Sequence, residues 1–255
     1  MEFMTKSDYA YQRLRDDIIH GIIPSGTKLV VNDLAQEYHL SAMPIRSAIS
    51  RLEETGLVKN IAHVGARVCE FDFKSQFSLM LLQIEPEAMI TYLAVENLTD
   101  ETIDQLQIVA DRMESARLKE DREGFIRADA DFHATFYKGC NNNVLYDYWE
   151  NLHERSSIAT HLFSVTSESI DASWNEHLQW MQAIKARNVE RSCAIIRYHR
   201  CRFNIGLLDH IESALKSNIR GDVYPQLGTQ EIDPESLETF RTLFQHILDD
   251  NKIYQ

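Results

Sequence analysis

Hydrophobic residues in the first third of the chain recur at helical spacing in three separate stretches. The first stretch predicts a helix over Asp8–His20 that ends at Gly21, and the second predicts a helix with Asn32 as its N-cap. The third predicts a helix over Ser41–Glu54, capped by Ser41, with one inward-facing apolar stripe: Ile45, Ala48, Ile49 and Leu52. The chain is therefore expected to open with a small helical module.

Two strand-like segments follow the third predicted helix. LVKNI and ARVCEF are separated by AHVG, which predicts a hairpin with Gly65 near its tip. Asn32–Arg67 therefore predicts a helix, a turn, a second helix and a two-stranded wing. The exposed side of that second helix carries mainly short or cationic groups that could reach a phosphate or a base edge: Met43, Arg46, Ser47, Ser50 and Glu54. This surface favours DNA binding as a hypothesis.

The chain changes character after residue 71. From Phe73 to about Ser217 it has almost no Pro or Gly, and its apolar spacing predicts helices near 75–97, 100–119, 122–139, 142–164, 167–187 and 189–216. Thr99 and Ser167 are suitable N-caps, and Pro86 is expected to kink the first of these helices. The predicted fold class is mainly α: an N-terminal winged helix-turn-helix with a small β wing, then an all-α bundle.

The last segment has a different composition. SNIRGDVYPQLGTQEIDPE is loop-like, and ESLETFRTLFQHILDDNKI predicts an amphipathic helix whose stripe contains Leu237, Phe240, Leu243, Phe244 and Ile247. This helix either packs on its own bundle or exchanges with a partner subunit. The expected domains are residues 1–71, 72–216 and 217–255.

The charge distribution separates the first domain from the rest. The chain of 255 residues has a formal net charge of −13, yet residues 1–71 hold eight Lys and Arg against nine Asp and Glu. A nearly neutral module with local basic points can bind DNA, whereas an acidic companion domain is repelled from phosphates.

We find no apolar run long enough to span a membrane and no signal-peptide core, and the four cysteines form no CxxC pair. A cytoplasmic protein with reduced thiols is expected.

Ionisable residues in the predicted bundle are spaced so that they could meet. Asp129 and His133 lie four residues apart and share one helix face. His177 and His199 lie eleven residues before and after Asn188, where two helices are expected to reverse, so their side chains come level in an antiparallel pair. One carboxylate and three imidazoles suit a divalent transition ion such as Zn²⁺, Ni²⁺, Mn²⁺ or Fe²⁺. A polar, metal-free pocket is the competing interpretation.

Three segments of the first domain carry a family resemblance. LRDDIIHGIIPSGTKL, DLAQEYHLSAMPIRSAISRLEETGLV and HVGARV closely resemble, in order and spacing, the winged helix-turn-helix of the GntR family of bacterial transcription regulators. The chain departs from the family pattern in the turn, where His39 replaces Gly, and at two usual arginines, replaced by Asn32 and Ala42. Met43 replaces a usual threonine. These departures bear on which operator is bound.

The resemblance implies a set of DNA-contacting residues: Asn32, Ser41, Met43, Arg46, Ser47, Ser50, Arg51, His63, Gly65 and Arg67. Arg51 has two interpretations, a phosphate contact or an ion pair with a nearby glutamate. A winged helix used only for protein contacts is the alternative for the whole stretch.

The bundle resembles the FCD ligand-binding domain, the effector module of the FadR branch of the same family, over about residues 73–215. In that domain an Asp-x-x-x-His pair and two later histidines bind a metal, and a small organic ligand, often a carboxylate, docks beside it. The arginine usual three residues before Glu85 is replaced here by Leu82. The substitutes that could anchor an effector are Arg155, Tyr137, Arg197, Arg200 and Asn204.

These inferences combine into one expectation. The chain is expected to be a homodimeric, metabolite-responsive transcription regulator, a repressor of a palindromic operator, and not an enzyme. Its expected partners are double-stranded DNA, a divalent metal and a small organic acid, with no membrane. A metal-dependent enzyme and a metal sensor are the alternatives that use the same Asp and His residues.

Overall fold

Three helices and a two-stranded sheet form the first part of the computed structural model. The helices are α1 (Lys6–Ile19), α2 (Val31–Glu37) and α3 (Ala42–Glu54), and the strands are β1 (Val58–Ile61) and β2 (Gly65–Val68). The strands pair antiparallel with Lys59 opposite Arg67, and Lys28 adds an isolated bridge to Arg67. The structure describes residues 5–19, 21–69, 72–162, 167–216 and 233–251, with the backbone alone for 157–162, 167 and 214–216.

The predicted apolar stripe of α3 forms the centre of this module's core. Ile45, Ala48 and Leu52 are fully buried and pack in one cluster with α1, which contributes Leu14. Gly56 has a φ of +78°, a conformation that a side chain would strain, and it follows the last turn of α3. The core thus fixes the rotation of α3 and leaves its other face to solvent.

Two details of the helix-turn-helix differ from expectation or refine it. The N-cap of α2 is Val30, and Asn32 lies inside the helix, so the prediction of Asn32 as the cap is wrong. Val30 has the extended backbone that an N-cap requires but no side chain to donate or accept, a case that cap propensity cannot anticipate. His39 occupies the turn with a φ of 56°, which this residue type tolerates better than most.

In the second part of the chain, all of the described secondary-structure elements are helices. Its helices are α4 (Phe73–Glu96), α5 (Asp100–Leu118), α6 (Arg122–Lys138), α7 (Asn143–Leu162), α8 (Ser167–Lys185), α9 (Val189–Lys216) and α10 (Pro234–Asn251). Thr99 caps α5, since its side chain accepts a hydrogen bond from the Thr102 N–H, as predicted. Helix α4 contains Pro86 in its interior. None of the described helices has the length and apolar character that crossing a membrane requires.

The reversal between α8 and α9 positions the residues discussed below. Arg187 has a φ of 51° there, and the Asn188 side chain accepts a hydrogen bond of 3.0 Å from the Arg191 N–H at the start of α9. The turn predicted at residues 187–189 is present. The bundle interior is filled by large side chains that include Phe132, Phe136 and Trp180.

Contacts within the chain divide it into two compact units. One comprises the described residues of 1–76, 154–162 and 212–232, and the other those of 77–153, 163–211 and 233–255. This division cuts through α4, α7 and α9, so the domain boundaries inferred from sequence stay predictions. The loop predicted after residue 216 lies outside the described residues.

Helix α10 packs within the second unit of its own chain. Leu237, Phe244 and Leu248 are buried, and the Phe244 ring lies 6.4 Å from that of Phe77 on α4. Arg241 of α10 pairs with Asp209 of α9. In this single chain the helix packs on its own bundle, and its exchange with a partner subunit stays an untested alternative.

Truncating Phe244 to Ala should therefore lower the free energy of unfolding by about 3–5 kcal/mol, the usual cost of emptying a buried aromatic site. The matched control is Leu243→Ala on the exposed side of the same helix, which should change it by less than about 0.5 kcal/mol. Urea denaturation followed by circular dichroism measures both. Equal losses for the two variants would mean that α10 does not pack on the bundle in solution.

Candidate functional site

The four residues predicted as metal ligands lie together inside the helical bundle. Asp129 and His133 project from α6, His177 from α8 and His199 from α9. Each offers one ligand atom, and these atoms all lie within 4.8 Å of one another. The carboxylate oxygens of Asp129 are 3.4 Å from the Nε2 atom of His177 and 3.9 Å from that of His133. The helical spacing and the α8–α9 reversal produce this convergence.

The rings are buried, and two of their nitrogens have no hydrogen-bond partner among the described residues. His133 is 0% exposed and His177 2% exposed, and these orphan atoms are their Nε2 nitrogens. A buried polar atom without a partner costs about 1–3 kcal/mol. A metal ion bound to both nitrogens would remove this cost, so the donor set fits a transition ion.

Each imidazole is held by its other nitrogen. The Nδ1 atom of His177 lies 2.9 Å from the Ser173 carbonyl oxygen, and that of His199 lies 2.7 Å from the Glu176 carboxylate. The Nδ1 atom of His133 lies 3.3 Å from the Tyr137 hydroxyl. Engaging Nδ1 fixes the ring orientation and leaves Nε2 for a ligand, which is the arrangement that metal-bound histidines commonly show.

Burial keeps these rings in the form that a metal requires. It lowers the pKa of His133 well below its ordinary value, helped by the positive charge of Arg200, and lowers the pKa of His177 to about 4 despite the opposing effect of Asp129. Both rings are therefore neutral near pH 7. Neutral imidazole is the form that coordinates metal ions.

Glu176 supports the cluster and was missed as a functional residue at the sequence level. It is buried and bonds both His199 and the guanidinium of Arg202. Burial raises its pKa, but the hydrogen bonds and charges of these two partners outweigh burial and lower the pKa overall. The only sequence signal was an acid directly before His177, since its partners come from another helix.

A second buried ion pair lies beside the cluster. The Glu87 carboxylate accepts hydrogen bonds from Arg200 Nε at 2.6 Å, from the Tyr137 hydroxyl at 2.9 Å and from Trp149 Nε1 at 3.2 Å. Burial lowers the pKa of Arg200, but the Glu87 charge outweighs it, so the guanidinium stays cationic. Its Nη2 atom is buried without a hydrogen-bond partner in the described part of the chain.

The predicted effector residues divide into two groups. Tyr137 and Arg200 belong to the Glu87 network, and Asn204 is buried one turn further along α9. Arg155 belongs instead to the first unit, where its Nε lies 4.0 Å from the point that a Cβ on Gly56 would occupy. The end of α7 groups with the first unit, so the role of Arg155 as an effector anchor stays a prediction.

The departure at Leu82 also has a structural counterpart. Leu82 is 55% exposed and points away from the bundle interior. Glu85 is bound instead by Arg197 of α9 through two hydrogen bonds of 2.8 Å. Arg197, another predicted substitute, is therefore already committed to a carboxylate of its own chain.

A small cavity adjoins the cluster between α5 and α8. Its volume is about 240 Å³, and its buried lining residues are Ala110, Phe132, Trp174, His177 and Met181. Exposed polar residues of α5 and α8 complete its lining, among them Asp111 and Lys185. His177 is thus the member of the cluster that borders this opening.

The predicted DNA-contacting residues of α3 lie on its solvent side. Ser41, Met43, Arg46 and Ser50 are exposed, and Ser47 is half-buried. Arg51 is different, because its guanidinium pairs with Asp8 at 2.9 Å and stacks over the Tyr11 ring at 3.9 Å. Of its two interpretations the ion pair is the one present, although the partner is Asp8 and not a glutamate.

Some of the predicted DNA-contacting residues of the wing face solvent, whereas another makes a hydrogen bond within the module. His63 is exposed at the hairpin with a φ of 65°, and Gly65 begins β2 with a φ of 98°. Arg67 Nη1 donates a 2.7 Å hydrogen bond to the Gly26 carbonyl, which ties the wing to the loop before α2. Asn32 is exposed on α2.

Comparisons with known proteins agree with this two-part organisation. Residues 6–68 match the bacterial regulatory proteins of the gntR family, and residues 80–200 match the FCD domain. The HTH-type transcriptional regulator McbR of Escherichia coli (strain K12) is 26% identical over 182 residues, which cover 69% of this chain and 81% of McbR. The HTH-type transcriptional repressor GlaR of the same organism is 25% identical over 198 residues, 74% of this chain and 90% of GlaR.

A solved structure shows the same fold. The structure of E. coli McbR/YncC superimposes with a TM-score of 0.71 at 21% identity, covering 82% of this chain and all of the other. These relatives are transcription regulators and not enzymes. With a gntR-type winged helix-turn-helix followed by an FCD domain, the chain belongs to the GntR family of bacterial regulatory proteins.

Proposed function

We propose that this protein is a homodimeric repressor of the FadR branch whose helical unit holds a divalent metal and a small carboxylate effector. The two buried Nε2 atoms without partners, within a cluster of one carboxylate and three imidazoles, carry this proposal. The protein would act on operator DNA in the cytoplasm. Two recognition helices related by a twofold axis would enter successive major grooves of a palindrome.

The metal would be held by Asp129, His133, His177 and His199. Three imidazole nitrogens and one carboxylate oxygen match the ligand preferences of Zn²⁺, Ni²⁺, Mn²⁺ and Fe²⁺. A bound ion supplies positive charge that can attract an anionic ligand. The Nδ1 contacts to Ser173 and Glu176 prepare the rings for coordination.

Arg200 is the residue best suited to receive an effector carboxylate. Its guanidinium remains cationic, and its buried Nη2 has a hydrogen to donate that no described residue accepts. Hydrogen bonds between guanidinium and carboxylate groups are among the stronger ones in proteins. Tyr137 and Asn204 would add polar contacts on the same side of the bundle.

Effector binding would change DNA affinity through the bundle. Coupling free energies of this kind are typically about 1–3 kcal/mol and act in both directions, so an effector that weakens DNA binding is itself bound less tightly by the DNA complex. If the ion alone changes the DNA affinity, the protein is a metal sensor. A titration of operator affinity with and without a chelator, at fixed salt, separates the two.

The first prediction of this proposed function concerns the metal. Protein purified without chelator should contain one equivalent of a transition metal per chain by elemental analysis. Asp129→Asn and His177→Ala should lower that content, because each removes a ligand. Removing the ion should lower the free energy of unfolding by about 4 kcal/mol when its free concentration was about a thousand times its Kd.

The matched control for the metal site is Asp131→Asn. Asp131 lies on the same helix as Asp129, is exposed and pairs with Arg112 on the surface. This variant should retain the full metal content. Metal-free wild-type protein whose stability does not change on adding Zn²⁺, Ni²⁺, Mn²⁺ or Fe²⁺ would refute the site.

The second prediction concerns the support of His199. Glu176→Gln should weaken metal binding by about 10- to 100-fold, as loss of a carboxylate behind a metal-bound histidine usually does. Competition with a chromophoric chelator measures the change. Glu168→Gln, an exposed acid on the same helix, is the control and should leave the affinity unchanged. Equal affinities for Glu176→Gln and the wild type would remove Glu176 from the site.

The third prediction separates two arginines of α3. Arg46→Ala should weaken binding to operator DNA and reduce the salt dependence by about one phosphate contact. Arg51→Ala should leave the DNA affinity within about twofold, while slightly lowering the melting temperature through loss of the Asp8 pair and the Tyr11 contact. Fluorescence anisotropy at several salt concentrations measures both variants. A larger loss of affinity for Arg51→Ala than for Arg46→Ala would reverse the assignment.

A further inference from the structure

Met43 is an exposed hydrophobic side chain at the start of α3. It is 80% exposed, the highest value among the large hydrophobic residues described in the first unit. Burial of an exposed methionine side chain against an apolar partner is favourable. The Met43 side chain is therefore available to contact a partner outside the chain.

The fold fixes the direction of the Met43 side chain. The opposite side of α3 is held in the core by its buried residues, so the helix cannot rotate to hide Met43: Pro44, Ile45, Ala48, Ile49 and Leu52. Met43, Arg46 and Ser50 share the solvent face at helical spacing. Met43 is the first side chain of this face to meet whatever lies in front of the helix N-terminus.

Charge along α3 indicates which end approaches DNA. Arg46 stands exposed in the first half and forms no ion pair with a described residue, whereas Arg51 is neutralised by Asp8. Glu53 and Glu54 are exposed at the other end, where they would be repelled by phosphates. The positive end of the helix dipole is also the N-terminus. The end that carries Met43 is therefore the end that enters the major groove.

The chemistry of the side chain restricts what it can contact there. A thioether makes no strong hydrogen bond with a phosphate or a base edge, but it packs well on apolar groups. The one apolar group that projects into the major groove of DNA is the C5-methyl of thymine. Resting on the proposed operator binding, we infer that Met43 packs on a thymine methyl and so selects a T·A pair in each half-site.

The experiment uses full-length protein and a duplex enriched from a random pool by the wild type. Each thymine of that duplex is replaced in turn by deoxyuridine, which removes the methyl group and keeps the base pairing. At one position per half-site the wild type should lose about fourfold in affinity, the value of one buried methyl group. The same replacement should leave the affinity of Met43→Ala unchanged.

Met89→Ala is the matched control, because Met89 is an exposed methionine of α4 in the other unit. This variant should respond to deoxyuridine as the wild type does. Gel filtration of all three proteins should give one oligomeric state. A changed oligomeric state of Met43→Ala, with no difference in its response to uracil, would assign Met43 to a protein contact and overturn the inference.

The outcomes separate this inference from the function on which it rests. If duplexes are enriched but no uracil replacement weakens the wild type, or if Met43→Ala loses as much as the wild type, the thymine contact is wrong while operator binding stands. If the wild type enriches no duplex at all, the proposed operator binding fails and the thymine contact fails with it.

Discussion

The burial of three imidazole rings around one carboxylate is the constraint on which the second unit depends. The His133, His177 and His199 rings lie 4.9–5.6 Å apart between centroids, with Phe132 and Trp180 packed against them. Such a cluster tolerates few backbone arrangements, because each ring must keep an Nδ1 partner and avoid its neighbours. The α8–α9 turn, the register of α6 and the buried acid Glu176 meet these requirements together.

Buried charges near the cluster occur in compensated pairs. Glu87 is matched by Arg200 and Glu176 by Arg202, so Asp129 is left as the one carboxylate of the group without a guanidinium partner among the described residues. Two neutral imidazoles and this carboxylate make the interior attractive to a cation. Removing either member of a buried pair leaves the other charge unpaired in the low-dielectric interior, which lowers the free energy of unfolding by about 3–5 kcal/mol.

The features that the sequence predicted well are those set by local periodicity. Apolar spacing placed the helix bounds within about two residues where the structure describes them, and the Asp129–His133 interval with the symmetric spacing about Asn188 brought the four site residues together. Contacts between residues far apart in the sequence could not be predicted from local patterns. Nothing in the local sequence links Arg51 to Asp8 across 43 positions, or Glu87 to Arg200 across 113. The neighbours of Arg155 are set by where α7 packs, which the local sequence does not show either.

Helix α10, at the end of the described chain, packs against the residues with which the second unit begins. Phe77 near the start of α4 packs with Phe240 and Phe244, which come last in the chain among the described aromatic residues of this unit. A contact between such distant segments forms late, because its loop-closure entropy must be overcome first. During synthesis on the ribosome the winged helix-turn-helix can therefore fold well before the bundle is complete. Until α10 emerges, Phe77 lacks the two rings that pack against it, and nascent chains stalled at this stage expose additional apolar surface to aggregation and to chaperones.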